Sequence, residues 1–142
     1  MNEIDGRLAG AFTGYHSGAV FRLTNGQVWQ QRRYKYKYKY KYRPRVRIYA
    51  EQGRRWMEFD CMDEPIEVVR ASVVEEGAII SEFNGFDGSS RFHFESGRIW
   101  EQAEYKYSYH YAYRPHAIVV DWVDGIMLHV DGMNESVRVR RV

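Results

Sequence analysis

Residues 32–47, RRYKYKYKYKYRPRVR, place Tyr34, Tyr36, Tyr38, Tyr40 and Tyr42 at every second position, with lysines between them and no acidic residue anywhere in the stretch. Cations that track phosphates and rings that stack on bases are the two components of single-stranded nucleic-acid grooves. The chemistry on offer is therefore recognition of a polyanion. Its cations are Arg32, Arg33, Lys35, Lys37, Lys39, Lys41, Arg43, Arg45 and Arg47, and its stacking residues are Tyr36, Tyr38 and Tyr40, with Trp29 just upstream. One feature of a strand opposes this reading. Successive side chains point to opposite faces, so lysines and tyrosines would face apart. Lysines on an edge strand also have a purely protective use, since they discourage edge-to-edge pairing.

No other residues assemble a reaction. His16, His93, His110, His116 and His129 lack the spacing of a zinc site. DCMDE (60–64) and its loose echo DGMNE (131–135) gather carboxylates without the 12-residue calcium-loop pattern, and they read as polar turns. Cys61 has no activating base in view, and Gly132 stands at the matching position of the second half. Nucleophile-elbow and phosphate-loop motifs are absent from the sequence. The expectation is a protein without catalytic residues, cofactor or metal.

The elements that carry the tyrosines come as a duplication. Shifted by 71 positions, the sequence matches itself without a gap at 20 of 71 positions, including Gly14/Gly85, Phe21/Phe92, Gly26/Gly97, Trp29/Trp100 and Pro44/Pro115. A repeat of this length is a small domain, which sets the domains at 1–71 and 72–142. All five tyrosines recur as Tyr105, Tyr107, Tyr109, Tyr111 and Tyr113. Lys37, Lys39 and Lys41 become Ser108, His110 and Ala112. The retained face is read first as structural, lining a small core or the contact between copies, and second as a stacking platform. Charge separates the halves: residues 1–71 carry 14 Lys+Arg against 8 Asp+Glu, a net +6, and residues 72–142 carry 7 against 11, a net −4. The first repeat is basic and the second acidic.

Strand signals dominate each half. VFRLTNGQVW (20–29) and RFHFESGRIW (91–100) read as hairpins, with two-residue turns at Asn25-Gly26 and Ser96-Gly97. That register pairs Leu23 with Val28 and Arg22 with Trp29, and sets Glu95 opposite Arg98. It puts Trp29 beside Arg22 as a cation–π pair on the face away from Phe21 and Leu23. With LAGAFTGY, VRIYA, WMEF, IEVVR and their counterparts, about six short strands per copy follow. The fold class is all-β, with two tandem SH3-like or OB-like barrels; a single fused barrel or sandwich is the alternative. Nine residues of tyrosine strand extend ~30 Å, longer than a small barrel wall requires, so part of it should project.

Composition agrees with a folded soluble domain: 44% hydrophobic, 28% charged and 16% aromatic. No apolar run approaches the ~20 residues of a membrane helix, and the start of the chain has no signal-peptide pattern. A cytoplasmic protein is expected, or an exported one whose leader is absent. The segment FRLTNGQVWQQ (21–31), echoed by FHFESGRIWEQ (92–102), resembles small bacterial all-β proteins carrying F-x-L-x-N-G-Q-x-W-x-Q. That resemblance implies the fold and carries no assigned activity. Two functions remain: a binding module whose basic ribbon holds a polyanion, foremost single-stranded nucleic acid, or a protein-interaction module that assembles with itself or a partner through edge strands and opposite charges. Carbohydrate binding is a third, requiring an exposed aromatic row.

Overall fold

The structure, a computed structural model, describes residues 3–142. Every described element is a strand or an irregular connection. The chain divides into two compact units, Met1–Ala71 and Ser72–Val142, and every strand pairing falls inside one unit. The duplication is thus realised as two similar small barrels, which excludes one barrel fused from both copies.

Unit 1 contains eight strands where about six were expected: β1 (Ile4–Arg7), β2 (Ala11–Tyr15), β3 (Val20–Arg22), β4 (Val28–Gln31), β5 (Lys37–Tyr42), β6 (Arg45–Glu51), β7 (Arg54–Phe59) and β8 (Ile66–Arg70). Six of them form one antiparallel sheet in the order β1-β6-β7-β8-β4-β3. Its two edge strands meet at a bridge between Leu8 and Leu23. Flanking hydrogen bonds, Ala9 N–H to Arg22 O at 2.8 Å and Thr24 N–H to Arg7 O at 2.9 Å, wrap the sheet on itself. Strands β2 and β5 form a separate two-stranded ribbon.

Unit 2 repeats the plan with β9 (Ser72–Ala78), β10 (Phe83–Asp87), β11 (Arg91–His93), β12 (Ile99–Gln102), β13 (Tyr107–Ala112), β14 (His116–Trp122), β15 (Gly125–Val130) and β16 (Ser136–Arg141). The sheet order β9-β14-β15-β16-β12-β11, the ribbon β10-β13 and the Ile79–Phe94 bridge are the 71-shifted equivalents. Each unit fills its own core. In unit 1, Phe12 stacks on Phe59 at 4.3 Å between ring centroids, and Phe21 meets Phe59 edge-on at 5.1 Å. Phe83, Phe86 and Phe92 play this part in unit 2.

The hairpins form, but one residue out of the expected register. Phe21 pairs with Trp29 and Arg22 with Val28. Leu23 N–H reaches Gln27 O at 2.9 Å, and Gly26 N–H returns to Leu23 O at 3.0 Å, so the loop has three residues. Of its residues only Gly26 takes a positive φ, +90°. Asn25 instead uses its side chain to accept the Gln27 N–H at 2.9 Å. A slip of one residue exchanges the two faces of a strand. Trp29 accordingly joins Phe21 in the core, and Trp100 joins Phe92 by the same pairing. The Arg22–Trp29 pair gives way to Arg55 and Arg70, whose guanidinium carbons lie 5.8 and 5.2 Å from the Trp29 ring centroid. Glu95 turns from Arg98 to accept the Ala78 N–H at 3.1 Å.

Candidate functional site: an exposed tyrosine ladder

The ribbon register decides which way the tyrosines face. Residues directly opposite in an antiparallel pair share a side of the sheet. Phe12 is opposite Lys41 and Tyr15 opposite Lys37, whereas Ala11 and Gly14 are opposite Tyr42 and Tyr38. Phe12 and Tyr15 are fully buried core residues. The lysines therefore occupy the inward side and the tyrosines the outward one, the reverse of a core-lining aromatic face. All ten ladder tyrosines, five per unit, are between 56% and 84% exposed.

Two local features hold this arrangement. At Gly14 a bulge lets β2 approach β5 so closely that a Cβ would lie 2.0 Å from Lys37 O, and the backbone is at φ +112°. Gly85 repeats the approach, 2.0 Å from Ser108 O. At the other end, Arg43 and Arg114 adopt positive φ values of 50° and 47°. Each precedes a proline whose carbonyl accepts a backbone N–H, Leu8 to Pro44 and Ile79 to Pro115, both at 2.9 Å. The lead-in to the ladder is clamped by buried glutamines. Gln31 Nε2 donates to Arg33 O and Lys35 O at 2.9 and 3.0 Å, and Gln102 Nε2 to Glu104 O and Lys106 O at 3.1 and 2.8 Å. Tyr34 and Tyr36 consequently lie before β5, and the strand is six residues rather than nine.

The inward side explains the lysines. The loop joining β7 to β8 is DCMDEP, and its carboxylates meet them: Lys41 Nζ is 3.2 Å from Asp60, Lys37 is 3.7 Å from Asp63, and Lys35 pairs with Glu64. Unit 2 keeps Lys106 and Glu135 at the matching positions, each with another partner: Ser108 Oγ donates to Glu135 at 2.5 Å and Lys106 Nζ to Ser136 O at 2.6 Å. From sequence alone this loop reads only as a polar turn. The usable signal was that Asp60 and Glu64 recur as Asp131 and Glu135 in step with the tyrosines. Arg32 and Arg33 share the buried Glu67 at 3.7 and 3.0 Å, and Arg47 pairs with Glu58 at 3.0 Å and with Glu3. Among the described residues, Lys39, Arg43 and Arg45 are the three of the nine proposed cations that form no ion pair. Trp29, the proposed fourth stacking residue, is 3% exposed and belongs to the core, for the register reason given above.

Two titratable groups of unit 1, Tyr15 in the core and Cys61 packed against it, are shifted by burial. Burial pushes the Tyr15 phenol well above its ordinary value, reinforced by the charges of Cys61 and Glu64, and its hydroxyl donates to Glu64 O at 2.9 Å. Burial likewise raises the Cys61 thiol, helped by Asp60, which disfavours the reactive thiolate. No helix among the described residues is long and apolar enough to cross a membrane.

No family model matches the chain, and no curated protein or solved structure matches it.

Proposed function

We propose that the chain is a non-catalytic binding module whose basic unit holds single-stranded nucleic acid on its tyrosine ladder. The observation that carries the reading is the outward, exposed row Tyr34–Tyr42 on the half with net charge +6. Solvent-facing rings at every second residue are spaced ~6.6 Å apart. That is twice the ~3.4 Å rise of stacked bases, which leaves room for one planar base between successive rings. β5 pairs with β2 alone, so a polymer can follow its open edge with bases on the tyrosine side. Lys39, Arg43 and Arg45, free of internal carboxylates, are the residues assigned to phosphate. Base–tyrosine stacking contributes ~1–3 kcal/mol per base.

The test is titration of a short deoxythymidine oligomer at two salt concentrations. The logarithm of affinity should fall with log salt by about 0.7 for each phosphate contacted. Changing Tyr36, Tyr38 and Tyr40 to Thr keeps strand propensity and removes three stacking faces. Such a variant should lose ~3–9 kcal/mol at ~1–3 per ring, abolishing measurable binding. Salt-independent affinity, or an unchanged affinity of the Thr variant, would refute the reading.

Three observations favour a second reading, assembly with another protein or another copy. β13 is also a ribbon strand paired on one edge only, the ladder is present on the acidic unit too, and the units differ in net charge as +6 and −4. Sedimentation at low and high salt tests it: a monomer at every concentration is incompatible with self-assembly.

A further inference from the structure

A cleft lies in unit 1, around the buried Trp29. Arg54, Arg55 and Arg70 line it, and its volume of about 660 Å³ is within the ~300–1,000 Å³ of small-molecule sites. The sheet brings them together. Arg70 is opposite Trp29, and Arg55 is opposite Val68, two residues from Arg70 on the same strand. Arg55 and Arg70 thus sit as diagonal neighbours, ~7–8 Å apart at the backbone, both within 6 Å of one indole. Among the described residues, none of these three arginines has a carboxylate partner. The cleft is also lined by Arg32 and by two acids, Glu67, which pairs with Arg32 and Arg33, and Glu3, which pairs with Arg47. Four arginines against two carboxylates leave the lining a formal surplus of +2, which favours an anion.

The second copy supplies the contrast. Arg54 and Arg55 become Gly125 and Ile126, so the cluster is dismantled. The position of Ile4 is taken by Glu75, a buried carboxylate that accepts the Trp100 Nε1–H at 2.8 Å and the Ser96 hydroxyl. Unit 2 therefore carries an internal anion beside its tryptophan. Unit 1 carries arginines there instead, and its Trp29 Nε1–H turns to the neutral Gln27 Oε1 at 3.1 Å.

We infer that the cleft of Arg54, Arg55 and Arg70 against Trp29 binds a phosphate group. Guanidinium forks match phosphate oxygens in pairs and hold their charge at every accessible pH. Three of them suit a multiply charged anion better than a carboxylate. The space around one phosphate is large enough for a small molecule bearing it, and a nucleic-acid strand end presents the same group.

The experiment follows the indole N–H resonances of the full-length protein during titration with pyrophosphate, with acetate as control. A saturable shift of the Trp29 signal with pyrophosphate and none with acetate is expected. Replacing Arg54 with Gly and Arg55 with Ile installs residues the second copy already accommodates. That variant should bind about tenfold or more weakly, ~1.4 kcal/mol per decade. If it fails to fold, Arg55→Gln carries the same test. Tyr38→Thr should leave pyrophosphate binding unchanged, so this site and the ladder stand or fall separately. Comparing a mononucleotide with 5′-phosphorylated and unphosphorylated oligomers identifies the source. A response to the mononucleotide assigns the group to a small molecule, and a response only to the phosphorylated oligomer assigns it to a strand end. No shift at Trp29 with any phosphate, an equal shift with acetate, or undiminished binding by the arginine variant would overturn the site.

Discussion

At the scale of single residues, Gly14 and Tyr15 carry the most weight. Gly14 combines φ +112° with a 2.0 Å approach to a backbone carbonyl, and backbone cannot move aside as a side chain can. Gly26 has φ +90° but open space around its missing Cβ, so Gly26→Ala meets only conformational strain, ~1–3 kcal/mol. Gly14→Ala adds a steric conflict and should cost more than the ~3–5 kcal/mol that a core of this size supplies. Denaturant unfolding monitored through Trp29 and Trp56 should show unit 1 weakened in the first variant and lost in the second. Tyr15 predicts a pH effect. Its folded-state pKa lies above the ordinary 10.0. The stability it contributes is complete below that value and is lost as the pH rises past it, because the unfolded chain ionises first. At the matching position unit 2 has Phe86. Unit 1 should therefore lose more stability than unit 2 above pH 10, and Tyr15→Phe should narrow the difference, leaving the share of the Cys61 thiol and the Tyr49 phenol, both also raised by burial, at a neutral-pH cost of ~0.5–1.5 kcal/mol for the lost hydrogen bond. Equal alkaline sensitivity of the two units would contradict this.

At the scale of elements, the hairpin and the ladder mark what sequence can and cannot reveal. Asn25-Gly26 between alternating runs announced a hairpin, and one formed. Its register was not legible, because the same dipeptide serves a two-residue loop with two positive φ values or a three-residue loop with one. The choice moved Trp29 from surface to core. For the ladder, alternation announced two unlike faces, and the matched halves identified the tyrosines as the constant one. Which face turns inward is set by pairing with β2, whose buried Phe12 and Tyr15 stand opposite Lys41 and Lys37, and no local pattern in the ladder reveals it; the lysines then meet Asp60, Asp63 and Glu64 on that side. Exposed pairs of this kind contribute little stability, yet they neutralise the charge available to a ligand. Substituting lysines one at a time should expose this difference. Lys39→Ser should lower the salt slope of oligonucleotide binding by about 0.7. Lys35→Ser, which frees Glu64 from an existing pair, should change that slope by much less. Equal slopes for the two variants would mean that the internal pairs open when the ligand binds.

At the scale of the whole molecule, the two units share a topology, a closing bridge and a ladder while differing in charge. That difference separates the contribution of the rings from that of the cations. Each unit has a hydrophobic cluster made only of its own residues, so residues 1–71 and 72–142 should each fold when produced alone. Their stability should be modest, since domains near 60–70 residues bury only ~60% of their unfolded surface. If rings alone sufficed, both halves would bind an oligonucleotide, because both present five exposed tyrosines. If phosphate contact is required, the half with net charge +6 binds and the half with −4 does not. The intact chain adds a further condition. An acidic unit tethered to a basic one lowers the local concentration of a polyanion, and salt screens that effect beyond ~10 Å at 0.1 M. Residues 1–71 alone should therefore bind more tightly than the full chain at low salt, with the two affinities converging as salt rises. Binding by the isolated acidic half at similar strength would transfer the recognition to the tyrosines and make the charge asymmetry a feature of assembly.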